Sequence, residues 1–185
     1  MHIDRRYQIA NAAALTTLAR RDRRVHFMHV AKCGGTTLRY VLEGFANLRG
    51  LDCVNEARRQ DGTIPSLSGG QVVMGHRRTE DLLTRDDTCY VTVLRDPIRR
   101  LRSHVQMHME RFGRSGEALI DELRWSDANA AVHMLTGALG PEGDPVGAAK
   151  SALEQRVHLF GFQEDFDRFI ALVATMLELD GIIYP

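Results

Sequence analysis

The sequence predicts an α/β fold of three layers, a central parallel sheet flanked by helices, and three observations carry that expectation. Short apolar runs rich in Val, Phe and Tyr alternate along the chain with longer segments whose apolar residues recur at helical spacing. Strands separated by helices close through right-handed crossovers into a parallel sheet. The length of 185 residues supports one sizeable core and falls short of two ordinary domains, so a single domain over 1–185 is expected.

Taken in order, residues up to about Arg21 read as a polar-faced helix with Ile9, Ala13 and Leu18 as a weak apolar stripe, an extension ahead of the sheet. A strand at 25–30 is followed by a helix at about 36–48, where Leu38, Val41, Leu42, Phe45 and Leu48 share one face. Residues 55–70 carry Gly, Ser, Pro and charge and read as a loop. A strand at 71–74, a short helix at 79–84 and a strand at 89–94 come next. The helix opening at Pro97 places Ile98, Leu101, Val105 and Phe112 on one face. Residues 113–147 read as two short helices ended by the turn-rich GALGPEGDPVG. A helix at 148–156, a strand at 157–160 and a helix at 163–179 finish the chain. The last of these turns Phe166, Phe169, Ile170, Val173, Met176 and Leu177 inward.

The junction after the first strand is the most informative. An apolar run stops at Lys32, passes Gly34 and Gly35, and enters a helix at Thr36 and Thr37. Glycines let the backbone approach an anion closely, and the unpaired amides and dipole at a helix start favour negative charge. Lys32 adds a full charge and the two threonines add hydroxyls. The expected ligand is therefore phosphorylated, in a loop that is P-loop-like without matching G-x-x-x-x-G-K-[ST]. Its lysine precedes the glycines, which disfavours a nucleotide kinase or ATPase.

A second junction follows the strand at 89–94. Asp96 is a natural N-cap and Pro97 fits the first helical position. Arg95 then stands at the carboxyl end of a strand, where open α/β sheets bind ligands, and Ser103 lies two turns into the helix. A phosphate between them would take charge-assisted bonds from Arg95 and a hydroxyl bond from Ser103.

With both junctions in view, HVAKCGGTTL resembles the 5′-phosphosulfate loop of sulfotransferases, and VLRDPIRRLRSH resembles their 3′-phosphate segment. These enzymes use 3′-phosphoadenosine 5′-phosphosulfate (PAPS) as donor. The better match is the carbohydrate branch, among the uronosyl and heparan sulfate 2-O-sulfotransferase-like enzymes. VMGHRRTEDLL, the helix ending at Gly113, and HLFGFQEDFDRFIALVATML agree in family order. The resemblance covers roughly residues 25–113 and 148–179.

That resemblance implies a set of roles. Lys32, Cys33, Gly34, Gly35, Thr36, Thr37 and Leu38 would hold the 5′-phosphate, largely through backbone amides, and Arg95 and Ser103 the 3′-phosphate. Lys32 would also bond the bridging oxygen as charge builds there, an electrostatic role that is usually a large term. His76 follows a strand after Gly75, so by position it belongs at the same sheet edge as both loops. The family's Gly-His makes it the general base, and an imidazole with pKa near 6.5 is available for that task at pH 7. The second such histidine of some relatives is Met74 here. Arg77 and Arg78 would grip an anionic acceptor, or form a solvated turn. The product would be 3′,5′-bisphosphoadenosine (PAP), and no metal is expected because Lys32 and the helix dipole supply the positive charge.

Composition narrows the partners. The 24 basic and 24 acidic residues cancel, so no overall basic field invites nucleic acid. No apolar run is long enough for a transmembrane span, and no secretory h-region stands at the amino terminus. Three cysteines, an odd number without metal-like spacing, suit a reducing cytoplasm. Cytoplasmic localisation is expected, with a small-molecule or glycan hydroxyl acceptor and room for a homo-oligomer. The family's carboxyl-terminal segment is expected to be short or missing after Pro185. Cys89 reads as core and Cys33 as loop backbone rather than nucleophile. His104 and His108 stand at i,i+4, a spacing that can ligate zinc, but without a third ligand in sequence they read as a polar helix face. Two other functions stay open: a nucleotide-dependent kinase on the same fold, and a non-catalytic phosphonucleotide-binding module.

Overall fold

The computed structural model describes residues 24–55, 71–75, 88–114, 116–126, 129–136 and 144–177. The helix expected before Arg21, the loop at 56–70 and the short helix at 79–84 lie outside the described residues.

Five strands form one parallel sheet in the order β2-β3-β1-β4-β5. They are β1 (Arg24–Met28), β2 (Asp52–Asn55), β3 (Gln71–Gly75), β4 (Thr88–Leu94) and β5 (Leu159–Phe162). The central strand β1 is buried at every residue, as a parallel strand covered on both faces must be. Its Val25 pairs with Val72 on one side and Cys89 on the other. The expected α/β sheet flanked by helices is therefore the fold observed.

Among the described residues six helices accompany it: α1 (Gly35–Arg49), α2 (Pro97–Phe112), α3 (Gly116–Ser126), α4 (Ala130–Thr136), α5 (Pro145–Gln155) and α6 (Phe166–Met176). Leu38, Val41, Leu42 and Phe45 of α1 enter the core, and α1 packs on β2 and β3. Leu48, expected on the same face, is exposed. From α6, Phe169, Ile170, Val173 and Met176 are buried against the sheet, with Leu177 just beyond and Phe166 partly buried. None of the described helices is long and apolar enough to cross a membrane.

Several boundaries differ from expectation for physical reasons. Strand β2 falls where polar residues predicted none. It is an edge strand, with Asp52 and Cys53 exposed, and backbone pairing to β3 rather than side-chain burial creates it. Helix α5 starts at Pro145, not at 148, because Asp144 caps it by accepting from the Gly147 N–H at 2.8 Å. Strand β5 begins two residues late, since the Val157 N–H still closes α5 on Ala152 O at 3.2 Å. The last helix is preceded by a 3₁₀ turn at Gln163–Asp165. On α2, Ile98 and Phe112 are exposed, and Arg100 is the residue that the helix buries.

One buried polar group in β1 has a clear electrostatic consequence. His26 is 3% exposed, and burial, helped by the nearby Arg24 charge, pushes its pKa down to about 4. It is neutral at pH 7 and belongs to the core.

Candidate functional site

The sheet order makes a switch point between β1 and β4. The chain leaving β1 passes through α1 toward β2 and β3, and the chain leaving β4 leads to β5 on the other side. Ligands of open α/β sheets bind in the crevice outside the carboxyl ends of such a pair. Both junctions singled out in the sequence stand there.

After β1, two residues adopt the left-handed conformation, Lys32 at φ 66° and Gly34 at φ 81°. For a lysine this is uncommon backbone, and it turns the chain sharply enough for α1 to begin at Gly35. The glycine pair is enforced from two sides. A Cβ on Gly34 would lie 2.9 Å from the Phe166 ring of α6, and one on Gly35 would lie 1.8 Å from His29 Nε2. The first amides of a helix have no intrahelical acceptor, and no side chain caps those of α1. Thr36 is exposed, Lys32 and Thr37 half-buried, and Leu38 fully buried with its N–H 3.4 Å from Gly34 O. Leu38 thus anchors the loop to the core. Cys33 is 1% exposed, with its Sγ 3.7 Å from Ala31 O, which agrees with a structural rather than nucleophilic thiol.

After β4, Arg95 turns toward the first loop. Its Nη1 donates to Lys32 O at 3.1 Å, and its Nε is buried without a hydrogen-bond partner among the described residues. Asp96 performs the expected cap, accepting from the Arg99 N–H at 2.8 Å, and its own N–H donates to Glu164 at 3.2 Å. Ser103 is half-buried three residues on from the buried Arg100, and so shares its side of α2. The structure brings the Lys32 and Arg95 junctions together.

Openings flank the pair on both sides. Toward β5, an open cleft of about 650 Å³ is lined by Arg95, Asp96, Phe162, Glu164 and Arg168, among others. Toward β2 and β3, a narrower one of about 90 Å³ is lined by His29, Gly35, Thr36, Arg39, Asn55 and Gly75, with Phe27 and Met74 at its floor. Residues His29, Arg39 and Asn55 escaped the sequence reading. For His29 a signal existed, a titratable side chain three residues before Lys32 in the anion loop. For Asn55 there was none, because β2 itself was unforeseen.

Strand β3 ends at Gly75, whose carbonyl accepts from the His29 N–H at 2.9 Å. His76, Arg77 and Arg78 lie outside the described residues.

No protein-family model matches the sequence, and no curated protein matches it. Among solved structures, the chain is similar to mouse sulfotransferase SULT7A1 in complex with PAP, with a TM-score of 0.59 at 15% identity. That match covers 95% of this chain and 66% of the mouse chain, so the present chain spans about two thirds of its length. An uncharacterized protein from Eubacterium ventriosum aligns with a TM-score of 0.46 at 14% identity, over 84% of this chain and 98% of that one. The likeness to the mouse protein is one of fold: a parallel α/β sheet flanked by helices, shared with a sulfotransferase.

Proposed function

We propose that the chain is a PAPS-dependent sulfotransferase that moves a sulfo group to a hydroxyl of a carbohydrate acceptor, within one domain over 1–185. The observation that carries this reading is the 3.1 Å bond from Arg95 to the Lys32 carbonyl, which joins two anion-suited loops at one switch point. Arg95 Nε, buried and unpartnered among the described residues, is a donor suited to an anionic acceptor. The uncapped start of α1 and its glycine pair suit a second phosphate. The mouse sulfotransferase of the same fold was crystallised with PAP, which adds support.

On this reading the donor supplies an activated sulfo group, and the protein positions it. The amides of Gly34, Gly35, Thr36, Thr37 and Leu38, with Cys33 shaping the turn, hold the 5′-phosphate, while Arg95 and Ser103 hold the 3′-phosphate. The nucleotide occupies the wide cleft toward β5, and the acceptor hydroxyl enters from the β3 side. His76 takes the hydroxyl proton, the oxygen attacks sulfur in line, and the bond from sulfur to the bridging oxygen breaks as the Lys32 ammonium neutralises that oxygen. Lys32 and the helix dipole do this without a metal ion. Arg77 and Arg78 contact an anionic acceptor such as a uronate. The family resemblance in HVAKCGGTTL and VLRDPIRRLRSH favours the carbohydrate branch and, with it, a glycan or small-molecule acceptor, while the balanced charge argues against a nucleic-acid partner, the three cysteines suit a cytoplasmic setting, and a homo-oligomer is compatible.

Incubation of the protein with PAPS and a panel of hydroxyl compounds, read by mass spectrometry, tests the reading. Products heavier by one sulfo group, formed without magnesium, are expected. No product across glycan, phenol and alcohol acceptors would leave a non-catalytic phosphonucleotide-binding module. Phosphoryl transfer from Mg-ATP would point to the kinase.

A further inference from the structure

We propose that His104 and His108 form a two-imidazole binding site for a divalent transition-metal ion of the zinc, nickel or copper class, completed by water. The two residues lie one helical turn apart on α2, and their side chains do more than share a face. The two Nε2 atoms converge to 3.1 Å, where they share a hydrogen bond that a bound metal ion would replace, with ring centroids 4.8 Å apart and planes at 62°. Two nitrogens each about 2.0–2.1 Å from one metal and 3.1 Å from each other subtend roughly 100° at it. That lies between the right angle of an octahedral site and the tetrahedral angle, so the spacing fits a chelate of either kind.

His108 Nδ1 is buried without a hydrogen-bond partner among the described residues, and the Phe112 ring packs 5.2 Å from the His108 ring. On the neighbouring helix, Glu122 is ion-paired with Arg114. Among the described residues no group of three or more His, Cys, Asp or Glu could hold a metal ion, so the site proposed is a two-imidazole chelate whose other positions are left to water. Two neutral imidazoles select later first-row metals over magnesium or calcium, which prefer oxygen. The site begins one residue beyond Ser103 and takes no part in the transfer chemistry proposed above.

Calorimetric titration of Zn²⁺ into the full chain tests this, with His104→Ala, His108→Ala and His108→Gln as variants and circular dichroism as the check on folding. The wild type should bind one zinc ion at this pair and give no heat with Mg²⁺. Each variant should bind that ion at least tenfold more weakly, and His108→Gln retains a polar side chain should the alanine variant fail to fold. No zinc binding by the wild type, or affinity unchanged in all three variants as for capture by Cys53, would overturn the site.

Discussion

Replacing Lys32 with alanine should lower the rate of sulfo transfer by about 10²–10³-fold, the range typical for removing one donor aimed at developing charge. Lys32 is half-buried in the turn after β1, with φ 66°. Alanine meets the same backbone demand as lysine at that position, so the turn should survive. The Lys32 carbonyl, the atom that Arg95 holds, also survives the substitution. The loss should therefore fall mainly on turnover, with affinity for 3′,5′-bisphosphoadenosine changed much less, because the bridging oxygen gains its charge only as the sulfo group leaves. Steady-state kinetics beside equilibrium binding of the product separates the two effects. A Lys32→Ala enzyme with unimpaired turnover would remove the lysine from the chemistry.

Replacing His76 with alanine should cost at least about a hundredfold in turnover, the lower bound typical of losing a general base, and leave bisphosphoadenosine binding intact. The expectation rests on chain position. His76 follows Gly75, which ends β3 beside His29 and lines the small opening that the proposed function gives to the acceptor. On the proposed function, His76 would act on the acceptor hydroxyl and leave the grip on the nucleotide to the loops. The pH profile of turnover supplies an independent readout, since the wild-type acid limb should follow a histidine and vanish in the variant. Loss of nucleotide binding in His76→Ala would assign the residue to the donor site instead.

The sequence spoke most clearly where local chemistry and tertiary role coincide. Strands β1 and β4 are buried apolar runs, and the turns after them carry residues with few other uses at those positions: a glycine pair that tolerates no Cβ, and an Asp96–Pro97 cap. The same Asp-Pro signal at Asp144–Pro145 was overlooked because the surrounding glycines and Glu142 read as a turn, although Asp144 caps α5 in the same way as Asp96 caps α2. Strand β2 was illegible for a different reason. An edge strand held by backbone pairing needs no apolar alternation, and Asp52 and Cys53 are exposed. Ile98 and Phe112 show the limit of periodicity, which identifies a shared helix face without saying that anything covers it. The bond between Arg95 and Lys32 spans 63 residues of sequence and needed the fold to reveal it.

The claim on which the rest depends is that the Lys32 and Arg95 loops hold two phosphates of one nucleotide. Calorimetric titration of 3′,5′-bisphosphoadenosine against 5′-AMP, without magnesium, into the wild type and Arg95→Ala tests it most directly. A charge-assisted hydrogen bond contributes about 1.5–3 kcal/mol, so the wild type should prefer the 3′-phosphorylated ligand by roughly ten- to hundredfold. Arg95→Ala should lose that preference, while 5′-AMP binding falls much less, by the loss of the bond to the Lys32 carbonyl alone. Equal affinity for the two ligands in the wild type, or a 3′-phosphate preference that persists in Arg95→Ala, would contradict the account.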